Sequence, residues 1–536
     1  MKYKSDDIRK GIVLVITLSL FFILSAIPVC ACTEIYVGAD VSEDGTVIIA
    51  RSNDWQQIMA THLCVTDRVD NVPGRTMPVN DAGDILASLP ETTFHYISTP
   101  WMQNSTNRMK TGKDAAACAN EYGVSMSMSV TAFSKDKALA ADPLIENGLT
   151  EDTADDLVIC QTKTAREAVN LLLDLIDTYG SNGVNIATIA DQEEAWYIEI
   201  YTGHQYAAVK LPSDKVAAFG NEFCMEYLSD FDEAITSKEL LTLPEENGFA
   251  KYGKNGELNL YETYSGNEMR QDYSHMRTWI GHQLLAPSIY GDYDKSQFYP
   301  LLFDPDKKVS LSDVFHIMRN RYEGTPYSPD ETGRIDMRVI GTDTALSVHV
   351  LQIYPDLPAE MSVVIWESLA PDVYGVYVPL SNYCTGVSKP YGDEQLEDVG
   401  EDFDTLHYAW YALKGLNTIG LLDPKVYGTP VADYWREAEN GMLSEMPVVL
   451  DTTAGLLKSD PDAAASYITD YCSYLQEQAF ADAQSMLNTV TWYLNLNSNT
   501  LKLAKNPETN EYTGEERVLS PVPIDLSPEA YFKYRE

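Results

Sequence analysis

The sequence is poor in positive charge. It has 38 Lys and Arg against 80 Asp and Glu, for a formal net charge of −42 over 536 residues. A surface this negative repels phosphate backbones and anionic lipid headgroups, so nucleic-acid binding and docking on acidic membranes are excluded as general functions. Eight cysteines are too few for a disulfide-built scaffold. The eight histidines are scattered, with no His-Glu-x-x-His, so no metal site is expected. The phosphate-binding Gly-x-x-x-x-Gly-Lys loop and the glycine-rich dinucleotide fingerprint are both missing, and no cofactor is expected. No repeat of fixed period occurs. After residue 31 no apolar run is long enough to span a bilayer.

The remaining composition is that of a folded protein. Apolar residues make up 45% and charged residues 22%, and the length allows about two to four domains. The first thirty-one residues stand apart. Lys2, Lys4, Arg9 and Lys10 precede an apolar run from Gly11 to Ala31, and Val29-Cys30-Ala31 places small residues before Cys32. This pattern reads as a secretory signal cut at Ala31–Cys32, which would leave a secreted or cell-surface chain with no stable membrane span. An uncleaved anchor and a lipidated Cys32 are the alternatives.

Short strands follow. Thr33–Gly38 and Thr46–Arg51 flank an Asp-Gly turn and predict a hairpin beginning at Cys32. Alternation predicts a strand over Gly123–Thr131. A capping box at Thr164 and Glu167 opens a helix that ends before Gly180. Strands are expected at 184–190, 195–201, 205–211, 216–220, 345–354 and 362–366, with a helix at 311–321. From Tyr391 to Asp404 there are seven acidic and no basic residues, as in a solvated linker. Beyond it, 405–422, 432–442 and 462–494 read as helices, and the Pro-interrupted end reads as a surface segment. The expected division is a leader (1–31), a mixed α/β body (32–390) and a mainly helical C-terminal part (391–536).

Cleavage before Cys32 would put a thiol beside a free α-amine. With ordinary pKa values of about 8.5 and 7.7–8.0, one residue then supplies nucleophile and base. Arg51, at the end of the paired strand, is placed to populate the thiolate. Asp54 is placed to hold the amine by a charge-assisted hydrogen bond.

Cys32-Thr33 followed by Ile48-Ile49-Ala50-Arg51-Ser52-Asn53-Asp54-Trp55 resembles the start of the C69 family of cysteine dipeptidases. These are N-terminal nucleophile (Ntn) hydrolases related to penicillin V acylases and bile salt hydrolases. The resemblance continues through Asn120-Glu121-Tyr122-Gly123, through Trp196-Tyr197-Ile198-Glu199 with Gly203-His204, and through Arg319 to Thr325 with Tyr327. His349, Gln352 and Tyr377-Val378-Pro379 follow in order, so it covers roughly Cys32 to Pro379. It implies an α+β fold, an αββα sandwich of two antiparallel sheets. It also implies that Cys32 is the nucleophile, that Arg51 positions it and that Asp54 anchors its amine. By similarity to the acylase branch, Asn221 would supply an oxyanion-hole amide and Arg277 a second active-site cation. A further oxyanion donor is expected from the backbone near Val130-Thr131. The implied substrates are short peptides. An N-acyl amide substrate, a lipid-anchored non-catalytic surface protein and a homo-oligomer stay open on the sequence alone.

Overall fold

The computed structural model describes residues 32–55, 59–100, 115–128, 131–254, 256–266, 272–334, 336–392, 403–498, 501–505, 508–509, 512–517 and 524–526. The expected leader, the end of the strand at 129–130 and most of the acidic stretch lie outside these residues.

The first strand, Glu34–Val37, is buried along its whole length. It is too apolar to tolerate an open edge, and both its edges are paired. Val216–Phe219 lies on one side and Val47–Asp54 on the other, both antiparallel. Ala345–Ile353, Val363–Leu369 and Val378–Ser381 extend this sheet to six strands. A second sheet of eight strands runs from Ala234–Thr236 through Tyr206–Leu211, Ala195–Ile200, Asn185–Ala190, Ser125–Met128, Ala115–Asn120 and Tyr96–Pro100 to Cys64–Thr66. Every pairing in both sheets is antiparallel.

The two sheets face each other. Thr188 of the second sheet donates to Glu34 of the first, and Ser127 Oγ lies 2.8 Å from His349 Nε2. Helices cover the outer faces. Glu151–Ile159 and Ala165–Tyr179 seal the eight-stranded sheet through a core of Leu157, Leu172, Ile176, Ile189, Trp196 and Ile198. Asp272–Leu285, Leu311–Met318, Ala409–Leu422 and Pro461–Ser498 lie against the six-stranded sheet. The order of layers is therefore α, β, β, α, as expected.

The helical C-terminal part packs directly on this sandwich. Gln476 Nε2 donates to Pro379 O and its Oε1 accepts from Ser388 N. The helix read at 432–442 runs from Thr429 to Leu457, with Pro447 inside it. Pro447 marks a stop in a sequence pattern, yet Met446, Val449 and Leu450 are buried on either side of it, and that burial carries the helix onward. Leu501–Lys505 pairs with Tyr512–Arg517, and Ile524 is buried with its N–H on Val426 O. Among the described residues, no helix is long and apolar enough to cross a membrane.

Candidate active site

Cys32 is buried where the first strand begins. The strand fixes it: Thr33 N–H donates to Ser52 Oγ at 3.0 Å, and Ser52 N–H donates to Thr33 O at 3.0 Å. The hairpin register places Glu34 opposite Arg51. Arg51 is itself buried, with Nη1 3.8 Å from Cys32 Sγ and Nη2 donating to Ala116 O of the other sheet at 3.1 Å. The guanidinium thus bridges the two sheets directly beside the thiol. A buried cation in this position favours the thiolate.

Arg277 comes from the helix Asp272–Leu285 and is fully buried. Its Nη1 donates to Cys32 O at 2.5 Å and to Thr33 Oγ1 at 2.9 Å, and its Nη2 donates to Asn221 Oδ1 at 2.7 Å. One rigid fork therefore holds the start of the strand and the Asn221 amide together. Asn221 Nδ2 donates one of its two hydrogens to Thr131 O at 2.6 Å. Thr131 closes this corner through its carbonyl, next to the region where a backbone donor was expected.

Asp54 is buried at the end of the Arg51 strand and accepts from Arg338 Nη2 at 3.1 Å. Burial pushes its carboxyl up, while the charges of Arg338 and Arg277 oppose that shift. The structure therefore brings Cys32, Arg51, Asn221 and Arg277 into direct contact as one chain of hydrogen bonds and close approaches. Asp54 joins them through the nearby charge of Arg277. Arg338 was not foreseen, because nothing in its local sequence marks it.

Beside this cluster lies a cavity of about 620 Å³, lined by Tyr273, Arg334, Met337, Arg338 and Asp343 among others. Two of its walls touch the cluster: Arg277 lies over the Tyr273 ring at 5.3 Å, and Arg338 bonds Asp54. The motif residue Glu199 is buried nearby. It accepts from the Tyr197 and Tyr201 hydroxyls at 2.8 Å each and from Cys224 N–H at 2.6 Å. Asn120 turns the chain, its Oδ1 accepting from the N–H groups of Tyr122 and Val124 while Gly123 takes φ +76°. Trp196, Trp279 and Trp366 are core residues.

Gly220 permits the Asn221–Arg277 contact. A Cβ there would lie 2.9 Å from Ser274 O, 3.2 Å from Arg277 Cζ and 3.3 Å from its Nη2. Gly220→Ala is expected to push the guanidinium off Asn221 and the Cys32 carbonyl. Displacements of this size cost about 10- to 100-fold in kcat/KM, whereas the overpacking itself costs about 1–3 kcal/mol of stability. Steady-state kinetics with a parallel melting curve separates the two effects. An unchanged kcat/KM in the folded variant would show that the Arg277 fork is not needed for turnover.

Residues 31–416 match Peptidase family C69. The chain is 29% identical over 455 residues to a probable dipeptidase B of Streptococcus pyogenes serotype M1, covering 81% of this chain and 87% of that protein. It is 30% identical over 379 residues to a probable dipeptidase B of Lactococcus lactis subsp. lactis (strain IL1403), covering 68% and 77%. Among solved structures, it aligns with a variant of conjugated bile acid hydrolase from Clostridium perfringens at 10% identity and a TM-score of 0.29, over 63% of this chain and 89% of that one. The match to the family takes in Cys32, Arg51, Asp54, Asn221, Arg277 and the whole of both sheets, and on that extent the chain belongs to peptidase family C69.

Proposed function

We propose that this peptidase is an exported cysteine dipeptidase whose nucleophile is the thiol of Cys32. The observation that carries the reading is the double hold on that residue: Arg51 Nη1 at 3.8 Å from the sulfur and Arg277 Nη1 at 2.5 Å from its carbonyl oxygen. The names of the relatives, probable dipeptidases, support the substrate class. So does the adjoining cavity of about 620 Å³, which has room for a short peptide.

Removal of residues 1–31 gives Cys32 a free α-amine. The amine takes the thiol proton, and the sulfur attacks the scissile carbonyl carbon as the C=O electrons move onto oxygen. An N–H of the Asn221 side chain donates to that oxyanion in this reading, a contact worth about 3–4 kcal/mol when aligned. Collapse expels the leaving amine, which takes the proton from the Cys32 ammonium, and a thioester remains. Water then gives a proton to the α-amine and attacks the thioester. The N-terminal amino acid leaves as a carboxylate, and the α-ammonium returns its proton to the sulfur, restoring the thiol. Arg277 holds the nucleophile's backbone through both halves, and Asp54 anchors the amine.

Mass spectrometry of protein recovered from an exporting host tests the reading. The expected chain starts at Cys32 with an unmodified amine and hydrolyses dipeptides. A chain that starts elsewhere, or a Cys32 carrying lipid, would sink it.

A further inference from the structure

The first strand carries a second inward residue. Side chains alternate along a strand, so Cys32 and Glu34 share a face. Register extends that face sideways. Glu34 is opposite Arg51, Arg51 is opposite His349, and His349 is opposite Glu367. All four are fully buried. One rung of the six-stranded sheet is thus a row of acid, guanidinium, imidazole and acid, lying directly behind the thiol. The peptidase chemistry proposed above uses only the guanidinium.

We propose that Glu34 is a positioning residue for the nucleophile: from the neighbouring place on the rung, its charge state sets whether the Arg51 guanidinium stays on Cys32 Sγ or is drawn away. The inference rests on Cys32 being the nucleophile. Its geometric basis is a vacancy on both sides of one register step. Glu34 Oε1 accepts from Thr188, but among the described residues Glu34 Oε2 and Arg51 Nε have no hydrogen-bond partner. A neutral Glu34 leaves Arg51 facing the sulfur. An ionised Glu34 gains a charged acceptor for Arg51, and the positive field at the sulfur falls.

The surroundings favour the neutral form up to neutral pH. Burial raises the Glu34 carboxyl to about 7, against the Thr188 hydrogen bond and the Arg51 charge, which lower it. The groups facing it from each side are few. Arg51 lies on the neighbouring strand and Phe219 occupies the other edge. Asp155 comes from the helix Glu151–Ile159, and burial holds it far above the usual carboxylate range. Thr188 and, opposite it, Tyr197 come from the second sheet, and the Tyr197 hydroxyl is committed to Glu199. Glu199 is also raised to about 7 by burial. Farther along the rung, burial keeps His349 neutral, assisted by the Arg51 charge, and pushes Glu367 up. Arg51 is therefore the one lasting charge of the rung, and Glu34 is its titrating neighbour.

The test is the pH dependence of kcat/KM on a dipeptide of two neutral residues, for the mature enzyme and two variants. Taking the ratio of variant to wild type at each pH cancels the ionisation of the α-amine and of the substrate. Glu34→Gln keeps the shape and the Thr188 contact but cannot ionise, so its ratio is expected to rise by about tenfold or more between pH 6 and pH 8.5. Thr188→Val removes a donor that favours the charged carboxylate, so the alkaline limb is expected to move to higher pH. The valine variant decides the matter if the glutamine variant does not fold. A flat ratio for Glu34→Gln, or an unmoved limb in Thr188→Val where that variant alone folds, overturns the role of Glu34 and assigns the limb to another group, of which Glu199 is the first. Retained turnover in Cys32→Ala overturns the nucleophile reading itself, whatever Glu34 does, so the two failures are told apart.

Discussion

Replacing Cys32 by alanine is expected to lower dipeptide turnover by about 10⁴-fold or more while leaving the fold in place. The loss is large because, in the mechanism proposed above, one residue holds both halves of the chemistry, and its thiol is the half that forms the bond. Structural damage should be small. The sulfur lies 3.8 Å from Arg51 Nη1, and the backbone that positions residue 32 is held through Thr33, Ser52 and Arg277. None of those contacts involves the side chain that is removed. Cys32→Ser gives the finer reading. It keeps a hydroxyl and the α-amine, but a hydroxyl is far harder to ionise beside Arg51 than a thiol, so turnover should stay near the alanine level. Single-turnover assays with a thiol-labelling control measure both variants. Peptide hydrolysis persisting in the purified alanine variant would mean that another group attacks the carbonyl.

Much of the site's frame was legible because it is strand-borne. The hairpin after Cys32 announces itself by β-branched runs around an Asp-Gly turn, and its register alone brings Arg51 to the start of the first strand. The same alternation that turns Cys32 inward turns Glu34 inward, so the buried rung had a signal: an acid two residues from Cys32, in an otherwise apolar strand. What was not legible has physical causes. The helix Asp272–Leu285 carries no apolar stripe because it is buried almost all round. Ser274 through His282 are all covered, His275, Arg277 and His282 among them. The strand Ala115–Asn120 is built of alanine, cysteine and asparagine, which read poorly as β, and pairing on both edges imposes its conformation. Arg338 reaches Asp54 from 284 residues away in sequence, a distance that no local pattern spans.

Arg319 shows how a motif residue can serve the frame rather than the chemistry, and it carries the second large effect. The resemblance that picks it out does not say what it holds. In the structure its guanidinium is buried at the end of the helix Leu311–Met318 and pairs with Glu439 of the helix Thr429–Leu457. Nη1 meets Glu439 Oε2 at 2.9 Å and Nη2 meets Oε1 at 2.5 Å, while Nε donates to Asp372 O at 2.8 Å. Glu439 Oε1 also accepts from Tyr377 N–H at 2.9 Å, and the Tyr377 ring lies under the guanidinium at 4.8 Å. The pair therefore fastens the C-terminal helices to the edge of the six-stranded sheet. Glu439→Ala would leave the Arg319 charge buried with carbonyl partners only, and is expected to cost about 3–5 kcal/mol. Denaturant unfolding should show that loss as a lower midpoint, with little sensitivity to salt because the pair is shielded from ions. Replacing both partners, as Arg319→Met with Glu439→Leu, should recover most of the stability, since the penalty of the single change lies in the stranded charge and not in the missing attraction. If the double variant is no more stable than Glu439→Ala, the fastening depends on the geometry of the fork, and the helical part is held by hydrogen bonds that apolar packing does not replace.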